Sequence, residues 1–302
     1  MLVGIIFIFL ASVAFGAGPV FAKELIDMGY STWDILLYPK ISILLIIGVI
    51  FIIRRVSLRV TKTQLWQLIL LCAASNGLTA VLLVSAYRFL PIGLATMFHF
   101  IYPVVVTVFM AVIFKERISI LKAFAIVIAI TGLCFILDLS GNMSFIGVIL
   151  ALSSGFAYAI YVIANRKSAY KDLPALIIVF YSTIINFLAV IVYQIVWGRV
   201  FIPSTGLEWF LITGNGLISG LFAFFMLILG IRRIGASNAA IANMFEPMTA
   251  LVAGAVLFGD RIETKALVGC ILVLLAILLI TVNKSSRLTS GKEPDDSETS
   301  TR

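Results

Sequence analysis

An all-α integral membrane protein of ten transmembrane helices, arranged as two inverted five-helix repeats, is the fold class this sequence predicts. Three observations carry it. Of 302 residues, 62% are apolar and 12% charged, with a mean hydropathy of +1.16; soluble domains sit near half and a quarter. Ten apolar runs follow one another, each of about the 20 residues that a helix needs to cross a bilayer. The stretch from Phe98 to Ile118 (FHFIYPVVVTVFMAVIFKERI) has a counterpart 144 residues later, from Ala242 to Ile262. A repeat of that length, with a proline at the middle of both copies, implies two related halves around a shared cavity.

The runs cover 2–22, 34–53, 65–87, 92–114, 119–138, 145–164, 174–197, 208–230, 235–258 and 264–282. They are continuous rather than alternating, which excludes a β-barrel. The first run ends in small residues like a secretory cleavage site, but it lacks a basic leader and its pattern returns in the sixth run. It is expected to be a retained helix. Sixteen of the 22 Lys and Arg residues fall after the even-numbered runs, so both termini are expected in the cytoplasm. Residues 284–302 are polar and almost free of apolar side chains, and read as a disordered cytoplasmic tail.

The repeat extends beyond its central helix. Ser12, Ala17, Val20 and Ala22 match Ser154, Ala159, Val162 and Ala164 at an offset of 142, and Trp66 and Gly77 match Trp209 and Gly220 at 143. The predicted halves are 1–140 and 141–283. Five helices per half is an odd number, so the second half enters the membrane in the opposite sense.

Polar groups inside hydrocarbon are costly unless they face protein or a water-filled cavity, so polar residues at mid-helix are the informative ones. Glu246 leads them, halfway along run 9 and directly before Pro247, with Asn243 one turn earlier. A carboxylate there could bind an amino group of a solute or pass a proton; its structural alternative is a bond to a neighbouring helix or to carbonyls freed by the proline. His99, the sole histidine, holds the matching place before Tyr102 and Pro103, with His99 and Tyr102 on one helix face. Ser154, Tyr158, Tyr161 and Asn165 form a stripe on run 6, and Tyr158 and Tyr161 are expected on the cavity wall. Lys40 lies about two turns inside run 2, where its stem could carry the ammonium to the headgroups. Asn76, Thr79, Ser219 and Phe222 are fainter candidates.

The basic residues, which give a net charge of +8, lie in short clusters between apolar runs, so topology explains them better than nucleic acid does. Cys72, Cys134 and Cys270 are far apart and outside any ligand spacing, and a lone histidine offers no metal set. No nucleotide-binding, hydrolase or metalloprotease signature is present, so no enzyme activity, cofactor or metal is expected.

Ile101, Tyr102, Pro103 and Val104 followed by Lys115, Glu116, Arg117 and Ile118, and Phe245, Glu246, Pro247 and Met248 followed by Gly259, Asp260, Arg261 and Ile262, resemble the paired motifs of the EamA family of the drug/metabolite transporter superfamily. Lys115 stands where glycine is usual, and Asp260 where glutamate is usual. The resemblance implies a ten-helix transporter working by alternating access in a bacterial inner membrane, commonly outward, on amino acids, other metabolites or drugs. It also implies a gating or pairing role for Lys40. The expectation is therefore a secondary transporter that exports an amino acid or related small solute, with protons or a counter-solute as coupling partners. His99, Tyr102, Tyr158, Tyr161, Asn243 and Glu246 are the expected binding residues; Glu246, Lys40, Pro103 and Pro247 are expected to couple or gate. An importer of an amine or quaternary ammonium compound, enclosed by the tyrosines, and a non-transporting scaffold or sensor are the alternatives.

Overall fold

A computed structural model describes residues 2–115, 120–136, 143–197, 202–243, 245–259, 264–265, 267–272, 274–276 and 279. The expected loop residues Glu116, Arg117, Ile118, Asp260, Arg261 and Ile262 and the tail 284–302 lie outside them, as do the side chains of Cys134, Asn238 and Pro247.

Helices α1 (Leu2–Asp27), α2 (Thr32–Arg54), α3 (Lys62–Gln67) and α4 (Ala74–Ala86) open the chain, with a π-helical segment at Leu68–Ala73 joining α3 to α4. Helices α5 (Ile92–His99), α6 (Tyr102–Val112), α7 (Ile120–Ile136), α8 (Phe145–Lys167) and α9 (Ala175–Trp197) follow. Helix α10 (Gly206–Gly214) runs through a second π segment, Asn215–Phe222, into α11 (Ala223–Ile234), and then come α12 (Ala236–Ala242) and α13 (Phe245–Phe258). Described residues from 264 to 279 are helical. Seven helical stretches among the described residues are long and apolar enough to cross a membrane. The expected fifth run is the 17-residue α7, and the ninth is divided between α12 and α13.

Helices α2, α3 and α10 begin two or three residues before the apolar runs at 34, 65 and 208. Capping boxes cause this. The Asp34 N–H donates to Ser31 Oγ (3.2 Å) while the Asp34 carboxylate accepts the Ser31 N–H (3.0 Å). Thr61 with Gln64, and Thr205 with Glu208, repeat the arrangement. A polar first turn satisfies helix donors that would otherwise be orphaned, and apolar content cannot register it.

The first helix of each expected half packs on helices of the other expected half. Helix α1 lies against α11 and α13, α8 lies against α4, α5 and α6, and α2 lies against α9. Large apolar side chains cover the outside; Ile52 and Ile195 are 78% and 77% exposed. Such a surface is stable only in lipid, and the chain is a multi-pass membrane protein.

Candidate functional site

Two central helices are interrupted at matching places. Helix α5 ends at His99, Phe100 departs from helical geometry (φ −69°, ψ 12°), and α6 restarts at Tyr102 with Pro103 in its first turn. Helix α12 ends at Ala242, Asn243 takes φ −75°, ψ 17°, and α13 begins at Phe245 with Glu246 in its first turn and Pro247 next. Proline brings no N–H, and in the first turn of a helix that N–H has no intrahelical partner to lose, so proline suits the start of a helix. Both prolines, expected to gate, stand at the first turn of the helix that follows each break.

The polar side chains at the breaks meet one another. Asn243, fully buried, donates through Nδ2 to Glu246 Oε2 (2.7 Å) and to Tyr102 Oη (3.2 Å), while its Oδ1 shares the proton of Ser12 Oγ (2.8 Å) with the Ile8 carbonyl (2.8 Å). Tyr102 Oη donates in turn to the Ala240 carbonyl (3.2 Å). These partners orient the Asn243 amide, with its nitrogen toward the carboxylate and its oxygen toward a hydroxyl. At the other break His99 Nδ1 lies 2.8 Å from Ser154 Oγ, which itself donates to the Ala151 carbonyl (2.6 Å). A serine has one proton, so with that proton on the Ala151 carbonyl the ring nitrogen is the donor of the pair.

A cavity of about 570 Å³ adjoins the breaks. His99, Tyr158, Tyr161, Glu246 and Lys40 are on its wall. Tyr102 and Asn243 stand behind the wall, where Asn243 bonds Glu246 and Tyr102 bonds Asn243, and Pro103 does not line the space. Tyr158 packs edge-on against Tyr102 (centroids 4.8 Å, 89°) and stacks on Tyr161 (5.7 Å, 18°). Lys40 shares the cavity-facing side of α2 with Leu36 and Ile43, and its ammonium donates to the Leu36 carbonyl on its own helix. It does not run along lipid to the headgroups.

Of the fainter candidates, Asn76, Thr79 and Ser219 line the cavity, and Phe222 does not. Asn186 and Asn215 also line it and were not singled out from the sequence; each is an amide inside an apolar run, the same signal that marked Asn243. Among the described residues no three His, Cys, Asp or Glu side chains gather as a metal would need.

Comparison with known proteins agrees with this architecture. An uncharacterized transporter of Archaeoglobus fulgidus is 25% identical over 207 residues, covering 68% of this chain and 73% of that protein. An uncharacterized transporter of Synechocystis is 27% identical over 241 residues, covering 76% and 70%. A crystal structure of another protein superposes with a TM-score of 0.69 at 16% identity, covering 93% of this chain and 97% of its own, a likeness of fold alone. The EamA-like transporter family matches over residues 2–138 and again over 145–282, and the chain, a membrane transporter of small solutes, belongs to that family.

Proposed function

We propose that the protein is a secondary transporter that exports an amino acid or related compound across a bacterial inner membrane by alternating access. Glu246, His99, Tyr158 and Tyr161 face the solute, and Tyr102 and Asn243 hold Glu246 in place. The observation that carries this reading is a carboxylate on the wall of an internal cavity, fixed through Asn243 at a broken helix. Among the described residues no basic side chain pairs with it. A buried acid so placed is available to the amino group of a solute or to a coupling proton. The cavity volume lies within the roughly 300–1,000 Å³ of small-molecule sites.

The same reading makes the halves 1–140 and 141–283 inverted repeats of five helices, with both termini cytoplasmic. The crosswise pairs of Ser12 with Asn243 and Ser154 with His99 support it, because the serines are 142 residues apart and their partners 144. Breaks at Pro103 and Pro247 supply points about which the halves rock. The amine-importer alternative has less support, since a cation cage needs open ring faces and these tyrosines spend theirs on one another.

Efflux of labelled amino acids from cells expressing the protein tests the proposal. Export should fall with Glu246→Gln and with His99→Ala in protein that still reaches the membrane. Unchanged export in both variants would remove the site assignment, and the absence of export for any amino acid would remove the substrate class.

A further inference from the structure

Lys40 holds a charge that the network around Glu246 does not use. It is the ninth residue of α2, about 12 Å along the axis from the helix start, and it faces the cavity rather than lipid. Pro39, just before it, brings no N–H and so removes one bond, to the Ile35 carbonyl, from the preceding turn of α2. Into that loosened turn the ammonium folds, donating to the Leu36 carbonyl. An ammonium has three donors, and this bond occupies one.

No carboxylate lies within ion-pairing distance of Lys40 among the described residues, where Lys23 and Asp27 form the ion pair that is present. Glu246 lines the same cavity without reaching Lys40. The rest of the wall near Lys40 is largely neutral: Ile43 and Leu36 on α2, Asn215 and Ser219 on the facing π segment. That segment comes close at this level, since a Cβ at Gly216 would stand 2.5 Å from the Pro39 carbonyl. A cation held in a mostly apolar cavity is costly until an anion joins it.

We propose that Lys40 is the subsite for the carboxylate of the transported solute, so that the substrate class is an amino acid recognised at both charges, with the acid group on α2 and the amino group on α13. This rests on the amino-acid reading given above and adds to it a second anchoring point. A charge-assisted bond between ammonium and carboxylate is about twice as strong as a neutral one. Its loss should lower apparent affinity by roughly 10- to 100-fold.

The test uses the full-length protein, purified and in proteoliposomes. The twenty L-amino acids are screened for thermal stabilisation and counterflow. The strongest is then compared with its own amide, which lacks the carboxylate, and with its deaminated acid, which lacks the amine. The inference expects the wild type to lose most of its response to the amide, Lys40→Met to respond weakly to both, and Lys40→Arg to recover part of the response to the parent. An amide bound and carried as well as the parent by the wild type overturns it, even if Lys40→Met fails to fold. A Lys40→Met protein that transports the parent normally also overturns it, and leaves the exporter reading standing. If no amino acid acts on the wild type but deaminated acids do, in a Lys40-dependent way, the amino-acid reading fails and the carboxylate subsite stands. If neither class acts, both fall. Liposomes of neutral and of anionic lipid are run in parallel; a Lys40→Met effect confined to anionic lipid assigns the charge to a lipid headgroup and overturns the inference.

Discussion

At His99 the chain leaves α5 with Phe100 at ψ 12°, and at Asn243 it leaves α12 at ψ 17°; both times a tyrosine or glutamate and then a proline begin the next helix. Each break is tied by a serine from the first helix of the opposite half, Ser154 to His99 and Ser12 to Asn243, both at 2.8 Å. Each is also closed over by a glycine of that same helix. A Cβ at Gly155 would stand 2.4 Å from the His99 carbonyl, and one at Gly16 would stand 2.4 Å from Thr249 Cβ and 3.1 Å from the Glu246 carbonyl. The difference is in where the hydrogen bonds end. From His99 they pass to Ser154 and stop at the Ala151 carbonyl. From Ser12 they pass through Asn243 to a carboxylate on the cavity wall. One backbone design thus closes on a backbone carbonyl at one break and on an ionisable carboxyl beside the cavity at the other.

If that division is right, Glu246→Gln has the largest effect on transport. Gln keeps the shape and an acceptor for Asn243 but removes the charge, so transport should fall by roughly 10- to 100-fold while the fold survives, the loss expected for a hydrogen bond to a charged group. Counterflow and gradient-driven flux in proteoliposomes separate the roles. Loss of both means solute binding, whereas loss of net flux with counterflow intact means coupling. His99→Gln should do less. An equal loss at His99 would break the comparison and make the first joint part of the site.

Next in size are Gly155→Ala and Gly16→Ala. At Gly155 the added methyl meets a backbone carbonyl that cannot turn aside, and helix propensity gained from alanine does not offset the clash. Destabilisation of about 1–3 kcal/mol is expected for such overpacking, read as a lower Tm in detergent. At Gly16 the nearest atom is Thr249 Cβ, which is fixed to its backbone and cannot turn aside either, so a Tm loss of similar size is expected, with a larger loss of transport because the methyl presses on the helix that carries Glu246. Equal Tm changes with transport untouched in both variants would show that neither contact bears on the site.

Much of this was legible in the sequence because the costs of a bilayer are large and local. Apolar runs, the position of basic residues and the repeated proline motif marked the helices and their central pair. Glu246 and Asn243 stood out because a polar side chain in hydrocarbon must have a reason. The pairing of Ser12 with Asn243 and Ser154 with His99 was not read, although both serines and both partners had been matched across the repeat; the offsets identify equivalent positions but not which half contacts which. Tyr102 was expected on the wall and lies behind it, because the rotation of a helix after a break is set by packing, not by spacing along one continuous helix. Lys40 was placed near the headgroups by its depth alone, since sequence gives the position along a helix more readily than the side it faces.

The serine pairs give a smaller and more symmetrical prediction. Ser154→Ala and Ser12→Ala each remove a hydroxyl that bonds both a break and a carbonyl of its own helix, with an expected cost of about 0.5–1.5 kcal/mol for the bond across the helices. Ser12→Ala should also lower transport, since Asn243 loses the partner that fixes its amide toward Glu246, while Ser154→Ala should leave the rate closer to wild type. The two sites share no partner, so the double variant should lose the sum of the two in Tm-derived stability. A strong departure from additivity would mean that the two joints communicate through the cavity.

The finest test sets Tyr158 against Tyr102. The Tyr158 hydroxyl is buried and has no partner among the described residues, while the ring helps to form the cavity wall; the Tyr102 hydroxyl is bonded to Ala240 and Asn243. Removing a buried hydroxyl that has no partner removes a desolvation penalty and no bond, so Tyr158→Phe should leave Tm unchanged or slightly raised. Removing one that is bonded leaves acceptor and donor stranded, so Tyr102→Phe should lower stability by about 1–3 kcal/mol. If the ring turns this hydroxyl toward the solute during transport, Tyr158→Phe should raise KM by up to about tenfold, the range of a single neutral hydrogen bond, with little effect on the amount of folded protein. A fall in Tm for Tyr158→Phe with KM unchanged would reverse the assignment and place the hydroxyl in the packing of the wall.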